Sequence, residues 1–239
     1  FEIAAVLMEP ALANCGVIPP VEGYLEGLRK ITEQYGVLLI FDEVMTGFRI
    51  APGGAQEYYN IKPDISTFAK VLGGGFPAAC FGGTKEVMEI EAKNEVMHGG
   101  TYTASPLVLA AADAVLKRIE RDKETMYPRL FELSDRLRDG LVRVIREAGF
   151  HCFGQGIGPL FQVFIGDSDI DRLYNYRDTV NYVRDDIFSA FHEEMQKRGI
   201  YHHPGQFERW FLSTEHTDQD VDDTIAAADE SIRAVAKKF

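Results

Sequence analysis

Three polar residues end apolar runs in the first third of this 239-residue sequence: Glu9 after IAAVLM, Asp42 after VLLIF and Lys70 after DISTFA. Lys70 is the most demanding of them. Its neighbours Ile65, Phe68, Ala69, Val71 and Leu72 are apolar, and Gly73, Gly74 and Gly75 follow at once. An ammonium group is costly to bury as a charge, so a lysine in such a setting is expected to be held out of water with a weakened hold on its proton. An amine of that kind is a nucleophile whose natural partner is a carbonyl. The glycines would let the backbone turn sharply and approach a bulky ligand.

Two chemistries use a lysine, glycines and a strand-end aspartate. A phosphate-binding loop of the G-x-x-x-x-G-K-[ST] type places its lysine after the glycines; here the lysine comes first, so that motif is absent. VLLIFDE (37–43) still resembles the acidic strand end of a nucleotide hydrolase, where the aspartate holds magnesium. A Schiff-base enzyme uses the same residues more fully. Pyridoxal phosphate needs an amine for its aldehyde, an acid to keep its ring nitrogen cationic, and hydroxyl and N–H donors at a helix start for its phosphate. GGTYTASP (99–106), just before an expected helix, has the composition for the last of these.

The elements that must position these residues read as an alternation. Apolar strands are expected at 3–8, 37–41, 64–68 and 79–83, with a helix through VEGYLEGLRKITEQYG whose stripe is Tyr24, Leu25, Leu28, Ile31 and Tyr35 and whose stop is Gly36. Continuous apolar strands between amphipathic helices imply a mainly parallel α/β sheet, in which ligands bind at the carboxyl ends of strands. From Pro106 the pattern changes. Helices are expected at 106–120 and 127–148, two strands across 150–166, a helix at 177–198, a short strand at 209–213 and a last helix at 218–237. This divides the chain into residues 1–123 and a smaller α+β domain at 124–239.

Bulk properties narrow the field. With 25 basic and 37 acidic residues the formal charge is −12, which argues against nucleic acid or an anionic membrane as the main partner. No apolar run approaches a membrane span and no metal-ligand spacing is present; His202-His203 lacks a third ligand and reads as a solvated loop. Cys15, Cys80 and Cys152 read as reduced, buried thiols of a cytoplasmic protein. Tyr174, Tyr176 and Tyr182 read as interface filling in the small domain, and Glu43 as a buried structural hydrogen-bonding group.

The segments MEPALANCGVIPP, LLIFDEVMTGFR, PDISTFAKVLGGGFP, FGG (81–83) and GGTYTASP occur in the order and spacing of class III pyridoxal-phosphate aminotransferases. The resemblance is closest to the glutamate-1-semialdehyde aminomutase-like branch and extends to QFERWFLSTEHTDQDVDDTIAAAD at the other end. It implies the aspartate-aminotransferase-like fold of pyridoxal-phosphate-dependent transferases, with residues 1–123 as the later part of the large domain. By the same resemblance Lys70 is the Schiff-base lysine and carries the proton of a 1,3-shift, Asp42 pairs with the pyridine nitrogen, and Val44 packs on the ring. Thr101, with Gly100 beside it, would serve the phosphate of a neighbouring subunit in a homodimer with a shared active site. Asn14 would lie near the cofactor and Glu208 near the substrate, while a substrate carboxylate would need an arginine, Arg49 or Arg209. Ala104-Ser105 departs from the Gly-Asn more usual before the proline, which puts the shape of that loop in question.

The same resemblance implies a longer large domain before Phe1, carrying the rest of the phosphate cradle and much of the pocket. The expectation is therefore either an amino-group-transferring enzyme (transaminase or aminomutase acting on a small amino acid or amino-aldehyde) or a non-catalytic or split-enzyme subunit that needs a second polypeptide.

Overall fold

The computed structural model describes residues 2–167 and 170–239, which divide into two compact units. The first comprises residues 1–11 and 20–124, the second residues 12–19 and 125–239. Residues 12–19, which the sequence order places with the first part, thus group with the second.

The first unit is built on a sheet of β1 (Ala5–Met8), β2 (Leu38–Asp42), β3 (Ile65–Phe68) and β4 (Cys80–Gly83), in that spatial order. β1–β2 and β2–β3 are parallel, and β3–β4 is antiparallel. α1 (Tyr24–Tyr35) makes the first crossover and stops at Gly36, whose left-handed φ of 63° lets its N–H reach the Thr32 and Glu33 carbonyls. Leu25, Leu39, Phe41 and Ile61 form the core beneath it. Asp64 ties crossover to sheet, accepting from Leu39 N–H at 2.7 Å and from Arg29 Nη1 at 2.9 Å. α2 (Gly54–Tyr58) lies in the second crossover, between β2 and β3, and α3 (Lys85–Ala92) follows β4.

The expected apolar stripe of α1 is only partly used. Leu25 is buried, but Ile31 and Tyr35 are exposed, Tyr35 at 70%. Leu7 on the outer strand β1 is 66% exposed, and Phe81 on the opposite outer strand β4 is also exposed. Both margins of this sheet are therefore apolar and, among the described residues, without a further strand.

α4 (Pro106–Glu147) corrects the expectation of two helices: it runs unbroken through Pro128. Pro128 has no N–H for the carbonyl of Glu124, and the division between the two units falls at that residue. The apolar periodicity on both sides of the proline keeps the helix going despite the lost bond.

The second unit carries the antiparallel sheet of β5 (His151–Ile157), β6 (Leu160–Gly166) and β7 (Trp210–Phe211). β6 is buried along its whole length, and its residues Phe161, Val163 and Ile165 pack with Leu133, Leu141 and Ile145 of α4. The helix expected at 177–198 is two, α5 (Tyr176–Tyr182) and α6 (Asp185–Lys197). Val183 turns extended (ψ 140°) and bridges Gly166, while Arg184 N–H donates to Ile165 O at 2.9 Å. Pairing with the edge of β6 wins over local helix propensity. α7 (Asp218–Val235) starts with a reciprocal Thr217–Asp220 capping box.

Two further expectations, those for His202 and Cys80, are corrected. His202 is buried, not solvated, and stacks on Trp210 with ring centroids 4.6 Å apart. Of the three tyrosines Tyr182 is buried within the second unit, while Tyr174 and Tyr176 are exposed on it. Cys80 is exposed where Cys15 and Cys152 are buried, and all three thiols are free. Among the described residues no helix is long and apolar enough to cross a membrane, and no cluster of three metal-ligating side chains occurs.

Candidate functional site

In the first unit, the parallel pairing of β2 and β3 sets Asp42 opposite Thr67 at the carboxyl ends of two adjacent strands. The Asp42 carboxylate accepts from Val44 N–H at 2.9 Å and from the Thr67 hydroxyl at 3.3 Å, both through Oδ1. One oxygen is thereby fixed and the carboxylate is oriented before any ligand arrives.

Glu43, the next residue, is wholly buried and works in the other direction. Its carboxylate accepts from the Thr46 hydroxyl (3.0 Å), Ala55 N–H (2.5 Å), Gln56 N–H (3.1 Å) and Gln56 Nε2 (3.2 Å). Burial pushes its proton affinity up, partly offset by these donors. Gly54 makes this possible: at φ 73° its missing side chain leaves the room Glu43 occupies, since a Cβ there would fall 2.1 Å from Oε2. The segment after the Asp42 strand end is thus pinned to the start of α2, in keeping with a structural role for Glu43.

Lys70 lies just beyond the end of β3, at the start of a short 3-10 turn, Lys70–Gly73. The expectation of a lysine held out of water is corrected: Lys70 is exposed. Its φ of 48° is in the left-handed region, so the backbone leaves the strand direction at this residue while Leu72 turns inward. The glycines behind it have distinct uses. Gly73 packs on Ala78, and Gly74, at φ 54°, has Val115 where a Cβ would be, 2.6 Å away. Only backbone fits beneath α4 there.

The 99–106 stretch forms turns, with Thr103 N–H on Gly100 O (3.0 Å) and Ser105 N–H on Tyr102 O (3.2 Å). Gly100 and Thr101 are exposed, and Ala104 adopts φ 56°, the conformation glycine takes without strain. The α4 start that follows carries no acidic residue in its first turn, so its N–H groups face no competing carboxylate of their own. A groove of about 900 Å³ in this unit is lined by Val44, Thr67, Phe68, Cys80, His98 and Ser105, among others. Val44, Thr67 and Phe68, near the strand ends, and the turn before α4 thus share one depression; Asp42, Lys70, Gly100 and Thr101 are not among its lining residues.

In the second unit the structure brings Asn14, Glu208 and Arg209 together. Arg209 Nη1 donates to Asn14 Oδ1 and to Glu208 Oε2, each at 2.5 Å, and its guanidinium lies over the Phe211 ring at 5.2 Å. The Arg209 side chain is 8% exposed. Arg49, the other candidate, donates Nε to Met45 O within its own turn at 2.9 Å. The two arginines, equivalent in the sequence, are different in place: one sits among polar partners from two distant segments, the other closes a local turn. No local signal in the sequence announces the Asn14–Arg209 contact, because 195 positions separate its ends.

The chain belongs to the family described as aminotransferase class III, whose profile matches residues 1–158. It is 40% identical over 233 residues to glutamate-1-semialdehyde 2,1-aminomutase 2 of Lachnoclostridium phytofermentans, a match covering 97% of this chain and 54% of that protein. Among solved structures it is similar to an omega-transaminase from Sphaerobacter thermophilus (31% identity, TM-score 0.86, 98% of this chain and 52% of that one). It is also similar to the FumI protein of Sphingopyxis sp. MTA144, solved in its PLP form (27% identity, TM-score 0.84, 100% and 53%). The fold expected from the sequence, that of the pyridoxal-phosphate-dependent transferases, is the fold these comparisons show. The chain spans about half the length of the relatives it matches.

Proposed function

We propose that this chain carries the lysine and ring-nitrogen partner of a pyridoxal-phosphate enzyme that moves an amino group, as a transaminase or an intramolecular aminomutase. The observation that carries the reading is Asp42, oriented at the tip of β2 by Val44 N–H and Thr67, with Lys70 just past the tip of the neighbouring strand. The donor set fits the cofactor: a fixed carboxylate for a cationic ring nitrogen, a primary amine for an aldehyde, and hydroxyl and N–H groups at a long helix start for a phosphate. When bound, the group supplies an electron sink for the carbon bearing the amine. Asp42 would hold the ring nitrogen in its charged form, and Val44 would pack against the ring. Lys70 would hold the aldehyde through its amine, and the same amine would serve as the base that moves the substrate's proton. Thr101 and Gly100 serve the phosphate, in a neighbouring subunit of a homodimer by the family resemblance. Asn14, Glu208 and Arg209 meet the substrate, and Arg209, rather than Arg49, answers a substrate carboxylate.

The full chain incubated with pyridoxal phosphate and then borohydride should gain the cofactor's mass on the peptide holding Lys70, and Lys70→Ala should abolish it. Labelling spread over several exposed lysines and unchanged in Lys70→Ala would overturn the reading.

A companion reading concerns completion of the site. The bare apolar margins at Leu7 and Phe81, in a chain about half as long as its relatives, favour a further polypeptide segment seated on this sheet. Native mass spectrometry should find the chain associated with itself or with a complementing segment. A soluble 26.8 kDa monomer that unfolds cooperatively would contradict this.

A further inference from the structure

Residues 12–19 form a short strap closed on itself, with Leu12 N–H on Ile18 O at 3.0 Å and Ile18 N–H on Leu12 O at 2.8 Å. Asn14 is exposed on it, while the adjoining Cys15 is buried against Phe153, Phe164, Leu173 and Tyr182. The strap is held by side chains far along the chain. Gln155 of β5 donates Nε2 to Val17 O at 3.1 Å and accepts Leu173 N–H at 2.9 Å. Thr179 of α5 donates to Cys15 O at 3.1 Å. The hold must be firm, because Val17 is a buried β-branched residue at φ 47°, a backbone region such side chains avoid. Gly16 adds a close fit: a Cβ there would fall 2.3 Å from Phe164.

The partner of Gln155 across the β5–β6 ladder is Gln162. Gln162 is buried as well, and its Nε2 donates to Gln206 O at 3.2 Å and to Glu208 O. Gln206 in turn accepts Ile165 N–H at 2.6 Å. One glutamine of the pair therefore grips the strap that carries Asn14. The other grips the segment that carries Glu208 and Arg209. Residues directly opposite in an antiparallel ladder project from the same face, so the two amides act from one surface.

We propose that the cross-strand pair Gln155–Gln162 is a positioning device: it sets the strap and the 206–209 segment in the register that lets Asn14 meet Arg209 beside Glu208. Its functional weight rests on the reading that these three residues face the substrate; the positioning itself does not. Neither glutamine touches the reacting groups. Each acts through the backbone carbonyl it holds, and the alternative use of a buried amide, general stabilisation of the unit, predicts a different pattern of effects.

The test uses the full chain with Gln155→Met and Gln162→Met, which keep length and remove the amide. Native maleimide labelling at Cys15 and phenylglyoxal modification at Arg209 are read by peptide mapping, with the buried thiol Cys152 as internal control. Gln155→Met should speed Cys15 labelling roughly tenfold and Arg209 modification about threefold or more, leaving Cys152 within about twofold. In an Asn14→Ala background the Gln155→Met effect on Arg209 should vanish, since the contact it sets is already gone. Gln162→Met should speed Arg209 modification without exposing Cys15. Should Gln155→Met fail to fold, Thr179→Val releases the strap at its other tie and carries the same expectations. No change at Arg209, an effect that persists in Asn14→Ala, or a parallel rise at Cys15 and Cys152 would overturn the proposal. Failure of Lys70 to take the cofactor would remove the functional reading and leave these rates unaffected.

Discussion

The backbone N–H of Ala55 donates to the buried carboxylate of Glu43 at 2.5 Å, across twelve positions of sequence. With Thr46 and Gln56 on the same carboxylate, this contact fastens the segment that leaves Asp42 to the start of α2. Glu43→Ala would strand the Ala55 and Gln56 N–H groups and the Thr46 hydroxyl, and should cost about 3 kcal/mol or more, read from denaturant unfolding. Burial raises the Glu43 carboxyl above its ordinary value, so its linked stability is full below the unfolded-state value and is lost as pH rises through the folded one. Glu43→Gln should remove that part of the pH dependence.

His202 gives the opposite slope. Burial against Phe188, Phe191 and Trp210 lowers its pKa from 6.5 to about 4, with His192 and His203 adding like-charge repulsion. Its linked stability is present above pH 6.5 and is lost as pH falls towards 4, on the order of 3 kcal/mol over the window. His202→Phe should flatten most of the acid limb in a stability-against-pH series. His192, lowered in the same direction, should leave a smaller residual slope.

Ala104 occupies a left-handed φ of 56° in the turn before α4. Ala104→Gly should relieve that strain and, after the added chain entropy of glycine in the unfolded state, stabilise the turn by about 0.5–1 kcal/mol. Slower limited proteolysis across residues 99–106, with no loss of thermal midpoint, is the expected result. Faster cleavage would show that the turn does not hold this conformation in solution.

Asp42→Asn keeps an oxygen for Val44 N–H and the Thr67 hydroxyl while removing the charge. The proposed function then predicts weaker retention of pyridoxal phosphate, by roughly tenfold or more, with the unfolding midpoint little changed. Spectroscopic titration of the full chain separates this from Thr67→Val, which should disturb carboxylate orientation and weaken retention less.

The strands, most crossovers and the Asp42 strand end were legible because their signals are local. Apolar runs ending in Asp42 and Lys70 announce buried parallel strands, and Gly36 announces a helix stop. Other features depended on distant partners. The run through Pro128 looks like two helices although one continuous helix spans it, and Val183 breaks a helix only because the edge of β6 offers it a pairing. Lys70 looked buried from its neighbours, yet those neighbours face inward while its own left-handed backbone turns away from the strand. Gln155 and Gln162 were invisible as functional candidates, since an amide in a strand declares nothing about which remote carbonyl it will hold.

The strap has a consequence for how this polypeptide comes into being. Its ties reach forward 138 residues to Gln155, 164 to Thr179 and 195 to Arg209. During translation residues 12–19 leave the ribosome long before their seat exists, and the disfavoured geometry at Val17 has nothing to hold it until then. Cleaving the two units apart at Glu124 would separate the strap from its seat, so reuniting the fragments, rather than folding either one, is what would restore Asn14 to its place.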